Sequence, residues 1–450
     1  MKISVLLLSA VTVALSAAAL GADLGAPAPA TPPSGVEHLS LAEAVAEAIH
    51  SNPSLQARTH VANAAASDAR AANRGRLGEL NAVASYSYFS DDQILRPMSR
   101  ELIANGMGGL PWDRDQLHYG LAYQVPLFLG GRLVNQVGIA RLEAQKSEAL
   151  REGSQWQVRF NAVSLYAAAQ ALDRVEAALA AQIETLGQTK ANIDRMVAIG
   201  KRPEIDRLKV EDDLAATQAQ LAAAKADRTR VGALLLALLG RDPASPLVVD
   251  SLPDSAPAPS PDRGELRELA MRATSVREAA LDVDQAARAV SVARSAFLPQ
   301  VVGSANYLEN TGLGINRTLD TWGASVGVVI PIFSGTSDAQ RLHASKERQA
   351  ASREALAQAQ LQASASLQDA LARLDSSYAA VAAAKARVAA SGEAARIEAI
   401  RYQTGAGSIE DLLRTLARKE AAFSALALAR ADQFTAAERI NTLVEKEIFK

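Results

Sequence analysis

The chain has 450 residues, almost half of them hydrophobic but few aromatic, and its formal charge of −2 offers no basic field for a nucleic acid. Cysteine is absent, which excludes disulfides, thiolate metal sites, cysteine nucleophiles and a lipid-modified cysteine. Alanine is abundant throughout, so helices can approach one another closely.

The opening run MKISVLLLSAVTVALSAAALGADLG combines a lysine, a short apolar core and small residues at Ala17–Ala22. That is the pattern of a secretory signal peptide (1–22), with cleavage expected within Ala19–Ala22 and an Ala/Pro-rich linker over 23–38. A membrane-anchoring helix competes with this reading, but the apolar core is short for one. No later apolar run reaches the ~18 residues of a spanning helix; the longest, VGALLLALLG (231–240), is about half of that. Entry into a membrane would therefore be by strands.

A helix is expected over 39–75. Next come strands at 81–88 and 116–125, where Ala82, Ala84, Tyr86 and Tyr88, then Leu117, Tyr119, Leu121, Tyr123 and Val125, alternate with small or polar residues. The run 130–199 has no proline and predicts one helix about 105 Å long. A helix over 203–240 follows, then a Pro/Ser/Asp-rich linker at 241–262 that reads as an external connection. The second half repeats the order: a helix at 263–296, strands at 300–307 and 321–330, and helices at 336–403 and 408–446. Segments 89–115 and 308–319 are read as loops, and their GMGG and GLGIN stretches as turns, since neither opens a helix after a buried strand. The two short helices of each half, laid end to end, match the long one.

This order is a duplication. An offset of 205 pairs Pro126 with Pro331, Phe128 with Phe333, Gly130 with Gly335, Gly200 with Gly405, Asp206 with Asp411 and Leu208 with Leu413. Upstream, an offset of 221 pairs Leu55 with Val276, Leu77 with Leu298 and Tyr86 with Tyr307, so one indel of 16 residues separates the copies. Repeat 1 is 39–240 with a hairpin at 80–125; repeat 2 is 263–447 with a hairpin at 299–330. Pro126 and Pro331 are read as the ends of the second strands, turning the chain into the long helices.

The alternation alone suits a soluble sheet with one wet face as well as a membrane strand. Tyr and Trp on the apolar side, together with the signal peptide, favour the outer membrane. One chain supplies four strands and a membrane barrel needs at least about eight, so closure demands an oligomer of two or more copies.

With LSLAEAVAEAIHSNPSL (39–55), VPLFLGG (125–131), IPIFSG (330–335) and the paired turns AIGKRPEIDRLK (198–209) and QTGAGSIEDLLR (403–414), nearly the whole mature chain resembles the TolC-like outer-membrane efflux protein family. The resemblance implies a mainly α fold with a membrane β-barrel segment: a homotrimer whose helical hairpins form an α-barrel in the periplasm. That α-barrel would continue into a barrel of about twelve strands in outer-membrane lipid. It implies a passive exit duct of a tripartite efflux or type I secretion system, energised by an inner-membrane pump (RND or ABC type) through a periplasmic adaptor.

By the same resemblance, Ile199, Gly200 and Lys201 with Thr404, Gly405 and Ala406 are adaptor-docking turns. Glycine at a helix end explains the same positions without a partner. Asp206, Tyr402, Glu410, Asp411 and Arg414 are the implied pore constriction and gate. Tyr402 would bond across to Asp206, and Asp411 would belong to a ring of carboxylates. Ser408 and Asp411 are also spaced as a capping box, and Arg414 stands where the family's best-studied member has a second aspartate. Gly407 stands where that family places an arginine latch.

No catalytic site, cofactor or metal is expected. His38, His50, His60, His118 and His343 are scattered without ligand spacing, and the five methionines do not cluster. A structural coiled-coil protein of the envelope would account for the helices but not for two proline-ended hairpins. Nothing in the residues selects a cargo.

Overall fold

Ser40 and Glu43 form a reciprocal capping box that starts α1 (Leu41–Ser51), following a two-residue strand β1 (His38–Leu39). The structure, a computed structural model, describes residues 38–95, 100–104, 106, 109–252 and 262–449. The expected signal peptide, all but the last residue of the Ala/Pro linker and part of the inter-repeat linker lie outside these residues.

Next come α2 (Pro53–Arg74), β2 (Glu79–Ile94), a short α3 (Arg100–Ala104), β3 (Trp112–Leu129), α4 (Arg132–Ala198) and α5 (Glu204–Leu239). Then β4 (Val248–Val249), α6 (Arg263–Ala270), α7 (Thr274–Arg294), β5 (Gln300–Gly312), β6 (Arg317–Val329), α8 (Ser337–Gln403) and α9 (Ile409–Val444) complete the described chain. The duplication reaches element length: α4 and α8 have 67 residues each, and α5 and α9 have 36 each.

The sheet carries the duplication to single residues. Its order is β2-β3-β5-β6, antiparallel throughout. In the first hairpin Glu79 pairs with Gln124; moving these by the two offsets gives Gln300 and Val329, which pair in the second. Cross-strand rows such as Ala82–Leu121–Tyr307–Trp322 stand on one face, and rows such as Ser85–His118–Asn310 on the other. The first face leaves Trp322 80% and Val326 66% exposed in the single chain.

Each long helix is backed by two shorter ones. α4 packs on α2 and α1 along one half and on α5 along the other, while α8 packs on α7 and α9; α4 also meets α7 and α9. The junctions between short helices hold the two main cores. Val45, Ala162, Tyr166, Ala169, Leu235 and Leu239 form the first; their repeat equivalents Leu266, Leu367, Leu371, Leu374, Ile440 and Val444 form the second.

Four sequence expectations need correction. Helix 39–75 is two helices, broken where Asn52 adopts extended backbone before Pro53, as residues preceding proline prefer. Helix 263–296 is likewise broken at Met271–Ala273. Pro126 does not end its strand: it pairs with Val302, and β3 runs on to Leu129 across a register shift before Phe128. The Gln124 carbonyl lies against Gly78 on the β2 side, so Pro126, two residues on, also faces that side, where the β2 ladder has already stopped at Glu79. Its missing N–H therefore costs no ladder bond. Pro331 does lie beyond its strand, which ends at Val329.

The strands also extend into both segments read as loops. There the Asp113 carboxylate accepts the N–H groups of Asp115 (3.0 Å), Gly314 (2.7 Å) and Ile315 (3.0 Å), tying β3 to the β5–β6 turn. In the inter-repeat linker, Val248–Val249 pair in parallel with His38–Leu39, and the Tyr166 hydroxyl donates to Leu39 O (2.8 Å) and Asp250 O (3.0 Å).

Asn52 does three jobs at the first helix break. Its Oδ1 accepts from the Ser54 and Leu55 N–H groups at 3.0 and 3.1 Å, and its Nδ2 donates to Leu238 O of α5 at 2.8 Å. Asn52→Ala removes all three at a buried position and is expected to cost about 1–3 kcal/mol. A lowered thermal midpoint by far-UV circular dichroism checks it.

Candidate functional site

Both long helices end in the same turn. Gly200 (φ 72°) and Gly405 (φ 81°) adopt left-handed backbone after the last helical turn. Gly200 N–H donates to Val197 O and Lys201 N–H to Met196 O; Gly405 N–H donates to Tyr402 O and Ala406 N–H to Arg401 O. These are paired Schellman closures, which satisfy carbonyls that a helix end leaves open. A side chain at either glycine would meet open space, so the backbone angle and not crowding calls for glycine.

The helices leaving the turns start differently. Pro203 precedes α5 without a side-chain cap, whereas the Ser408 hydroxyl accepts the Asp411 N–H at 3.0 Å to start α9. Glu204 and Asp206 in one first turn, and Glu410 and Asp411 in the other, sit at the positive ends of the helix dipoles. Beneath the turns, Leu186, Ile193, Val210, Ala395, Tyr402, Ile409, Leu412, Leu413 and Leu416 pack α4, α5, α8 and α9 into one core.

Tyr402 and Asp206 meet at the edge of this core, 4% and 7% exposed. The Tyr402 hydroxyl donates to Asp206 Oδ2 across 3.4 Å. Burial, reinforced by the Asp206 charge, pushes the phenol pKa up, so it stays a donor through neutral and mildly alkaline pH. Arg202 completes the contact. Its Nη2 donates to Tyr402 O at 2.8 Å, and its guanidinium lies 4.4 Å from the centre of the Tyr402 ring.

The sequence reading did not single out Arg202, although a signal was present: by the 205 offset Arg202 is the equivalent of Gly407. At Gly407 a side chain would be crowded and would displace the Glu398 carboxylate. A Cβ there would lie 2.7 Å from Glu398 Oε1 and 3.1 Å from the Tyr402 backbone nitrogen. Glu398 is buried, and its other carboxylate oxygen accepts from Arg401 at 3.0 Å. The turn of repeat 1 thus carries the arginine, and the turn of repeat 2 receives it.

Asp411 is not brought to Tyr402. It is half-exposed and ion-paired with Arg414 at 2.9 Å, while its Oδ2 accepts the Ser408 hydroxyl at 2.8 Å. Glu410 reaches Lys209 of α5 at 3.5 Å, a further link between the hairpins. Ile199, Gly200, Lys201, Thr404, Gly405 and Ala406 are exposed at the turn apices.

Helical hairpins of this length, duplicated and running directly into an antiparallel sheet with two open edges, are the architecture of TolC-like outer-membrane channels. The sequence matches the model of the outer membrane efflux protein family over residues 44–241 and 266–444, one segment per repeat, and the chain belongs to that family. Among solved structures, a membrane protein from Pseudomonas aeruginosa is similar at 19% identity and a TM-score of 0.78, covering 90% of both chains. VceC, an outer membrane protein of Vibrio cholerae, is similar at 18% identity and 0.76, covering 90% of this chain and 96% of its own. The open state of the MtrE outer membrane channel of Neisseria gonorrhoeae is similar at 20% and 0.74, covering 90% and 89%. At these identities the likeness is one of fold. No curated protein matches the sequence.

Arg202→Ala deletes both the carbonyl bond and the ring stack, together worth about 1–2 kcal/mol. Amide hydrogen exchange at Lys201 and Ala406, which close the two turns, is expected to rise about 5- to 30-fold. Exchange in the junction core around Tyr166 should not change.

Proposed function

We propose that three copies of this chain assemble into an outer-membrane exit duct, with the helical part in the periplasm and the turns of residues 199–203 and 404–408 at its inner end. The supporting observation is the sheet. It is apolar on one face, polar on the other and open at β2 and β6, and it passes through the Pro/Gly transitions into helices about 100 Å long. Open edges are not tolerated in lipid, and three copies of four strands close a barrel of about twelve. The apolar face then meets lipid, and the row containing Ser85, His118 and Asn310 meets water.

The duct conducts passively. A periplasmic adaptor engages the exposed apices, Ile199–Lys201 and Thr404–Ala406, and an inner-membrane pump of the RND or ABC type supplies energy and selectivity. No catalytic step is assigned to this chain. At the inner end Tyr402 and Asp206 hold the two hairpins together at rest, while Asp411 enters the constriction already paired with Arg414.

In planar bilayers the purified protein is expected to show low resting conductance. Tyr402→Phe should raise it several-fold, and an unchanged closed state would overturn the latch. A photo-crosslinking residue at Lys201 or Ala406 is expected to capture an adaptor in irradiated cells. An adaptor of a proton-driven pump marks an efflux duct, one of an ATP-driven exporter a secretion duct, and capture of none overturns the docking assignment.

A further inference from the structure

In the sheet, the trimer proposed above leaves one seam that no single chain contains: β6 of one copy against β2 of the next. The duplication specifies that seam. In the ladder β3–β5, the last strand of repeat 1 meets the first strand of repeat 2. In a closed ring, the last strand of repeat 2 meets the first strand of repeat 1 from the next copy, which is the same junction. The two offsets already reproduce the hairpin register residue for residue, so they transfer this register as well.

We propose that β6 pairs antiparallel with β2 of the partner subunit in the register that sets Ser325 opposite Ser87 of the partner subunit. The mapping is direct: Gly120 pairs with Leu308 within the chain, and their repeat equivalents are Ser325 and Ser87. The same register sets Val326 opposite Tyr86 of the partner subunit, Val328 opposite Ala84 of the partner subunit, and Ile330 opposite Ala82 of the partner subunit.

Two independent features agree with it. The first is backbone direction. Leu308 O accepts from Thr321 and Leu319 O from Asn310, so odd-numbered residues of β6 face β5 and even-numbered ones face the open edge. On β2, Glu79 is bonded to Gln124, whose carbonyl faces β2, so the even-numbered residues again face the open edge. Even meets even in the proposed register, and a one-residue slip would set bonded groups against unbonded ones. The second is the side-chain face. Tyr86, Val326 and Val328, all well exposed in the single chain, fall on one side, while Ser85, Ser87 and Ser325 fall on the other. A one-residue slip would mix them.

The seam also explains an unequal pair. Phe128 lies beside Val301 of its own chain, but its equivalent Phe333 is 84% exposed with no strand beside it. Transfer of the register brings Leu80 of the partner subunit beside Phe333.

The chain has no cysteine, so paired substitutions report without background. Ser87→Cys with Ser325→Cys changes two small polar side chains. Within one chain β2 and β6 are three strand spacings apart, about 14 Å, beyond disulfide reach, so any bridge joins two copies. Oxidation of isolated outer membranes is expected to give covalent trimers on denaturing gels. Ser85→Cys or Phe89→Cys with Ser325→Cys shifts the pair by two residues to about 7–8 Å and should crosslink at least about fivefold less. A shifted pair that crosslinks better, while the detergent-extracted protein keeps a trimer's mass, overturns the register and leaves the duct reading standing. A wild-type protein that is monomeric by mass in detergent overturns the duct reading itself.

Discussion

Every backbone N–H and C=O removed from water needs a partner, and the organisation of this chain follows from how it meets that demand. The long helices satisfy their own interiors and close their ends with paired Schellman turns. The sheet satisfies only its interior ladders and leaves β2 and β6 open. A four-stranded sheet with an apolar face is incomplete as it stands, since its apolar rows and its edges require surroundings that one chain does not supply. The small side chains and the lack of disulfides fit the same picture, because stability here rests on long helix–helix contacts and on assembly. Completion by identical copies is the economical answer, because the chain already contains the required junction once, between its own repeats.

Duplication supplies that economy, and its departures show where the copies have separated in role. The junction cores have diverged in size and, at one position, in bonding: Tyr166 and Ala162 in one are Leu371 and Leu367 in the other, and only Tyr166 has a hydroxyl to tie Leu39 and Asp250. The tip has diverged in chemistry. The equivalent of Tyr402 is Val197, and the equivalent of Arg202 is Gly407, so one of the two turns holds the aromatic ring and the other holds the cation that covers it. Asp206 and Asp411 are retained in both copies, but only Asp206 has a phenol to bind. Asp411 finds its counter-charge in its own helix, at Arg414.

Most of the secondary structure was legible because its signals are local. Period-two alternation marks the strands, and glycine or proline marks the ends of the long helices to within two residues. What the sequence concealed depends on contacts distant along the chain. Polar residues such as Asp91, Asp92, Asp113 and Arg114 obscured the outer ends of the first hairpin, where β2 and β3 still pair and where Asp113 is held by a turn 201 residues away. The tolerance of Pro126 inside β3 depends on where β2 begins, not on the residues around the proline. Arg202 is visible in the sequence as one more charged turn residue. Its stack on a ring 200 residues later is visible only in the fold. The helix break at Asn52 is the exception: the Asn-Pro pair was readable locally, and the strong helical period on both sides masked it.

The arrangement of the tip bears on how such a duct opens. The polar links between the two hairpins at the tip are a hydrogen bond at 3.4 Å, an arginine stack with one carbonyl bond, and the exposed Lys209–Glu410 pair. Bonds and stacks of these kinds contribute about 2–4 kcal/mol together, and the exposed pair adds little. That sum is small against the core beneath, which joins α4, α5, α8 and α9, so losing the polar links loosens the turns and leaves the helices folded. A ligand shifts such an equilibrium only by the difference in its affinity for the two states. For these polar links alone, at about 2–4 kcal/mol, a preference of roughly 30- to 1000-fold for the parted turns offsets their contribution. On the reading proposed above, a protein docked on the exposed apices supplies that preference through contacts it makes only with the parted turns.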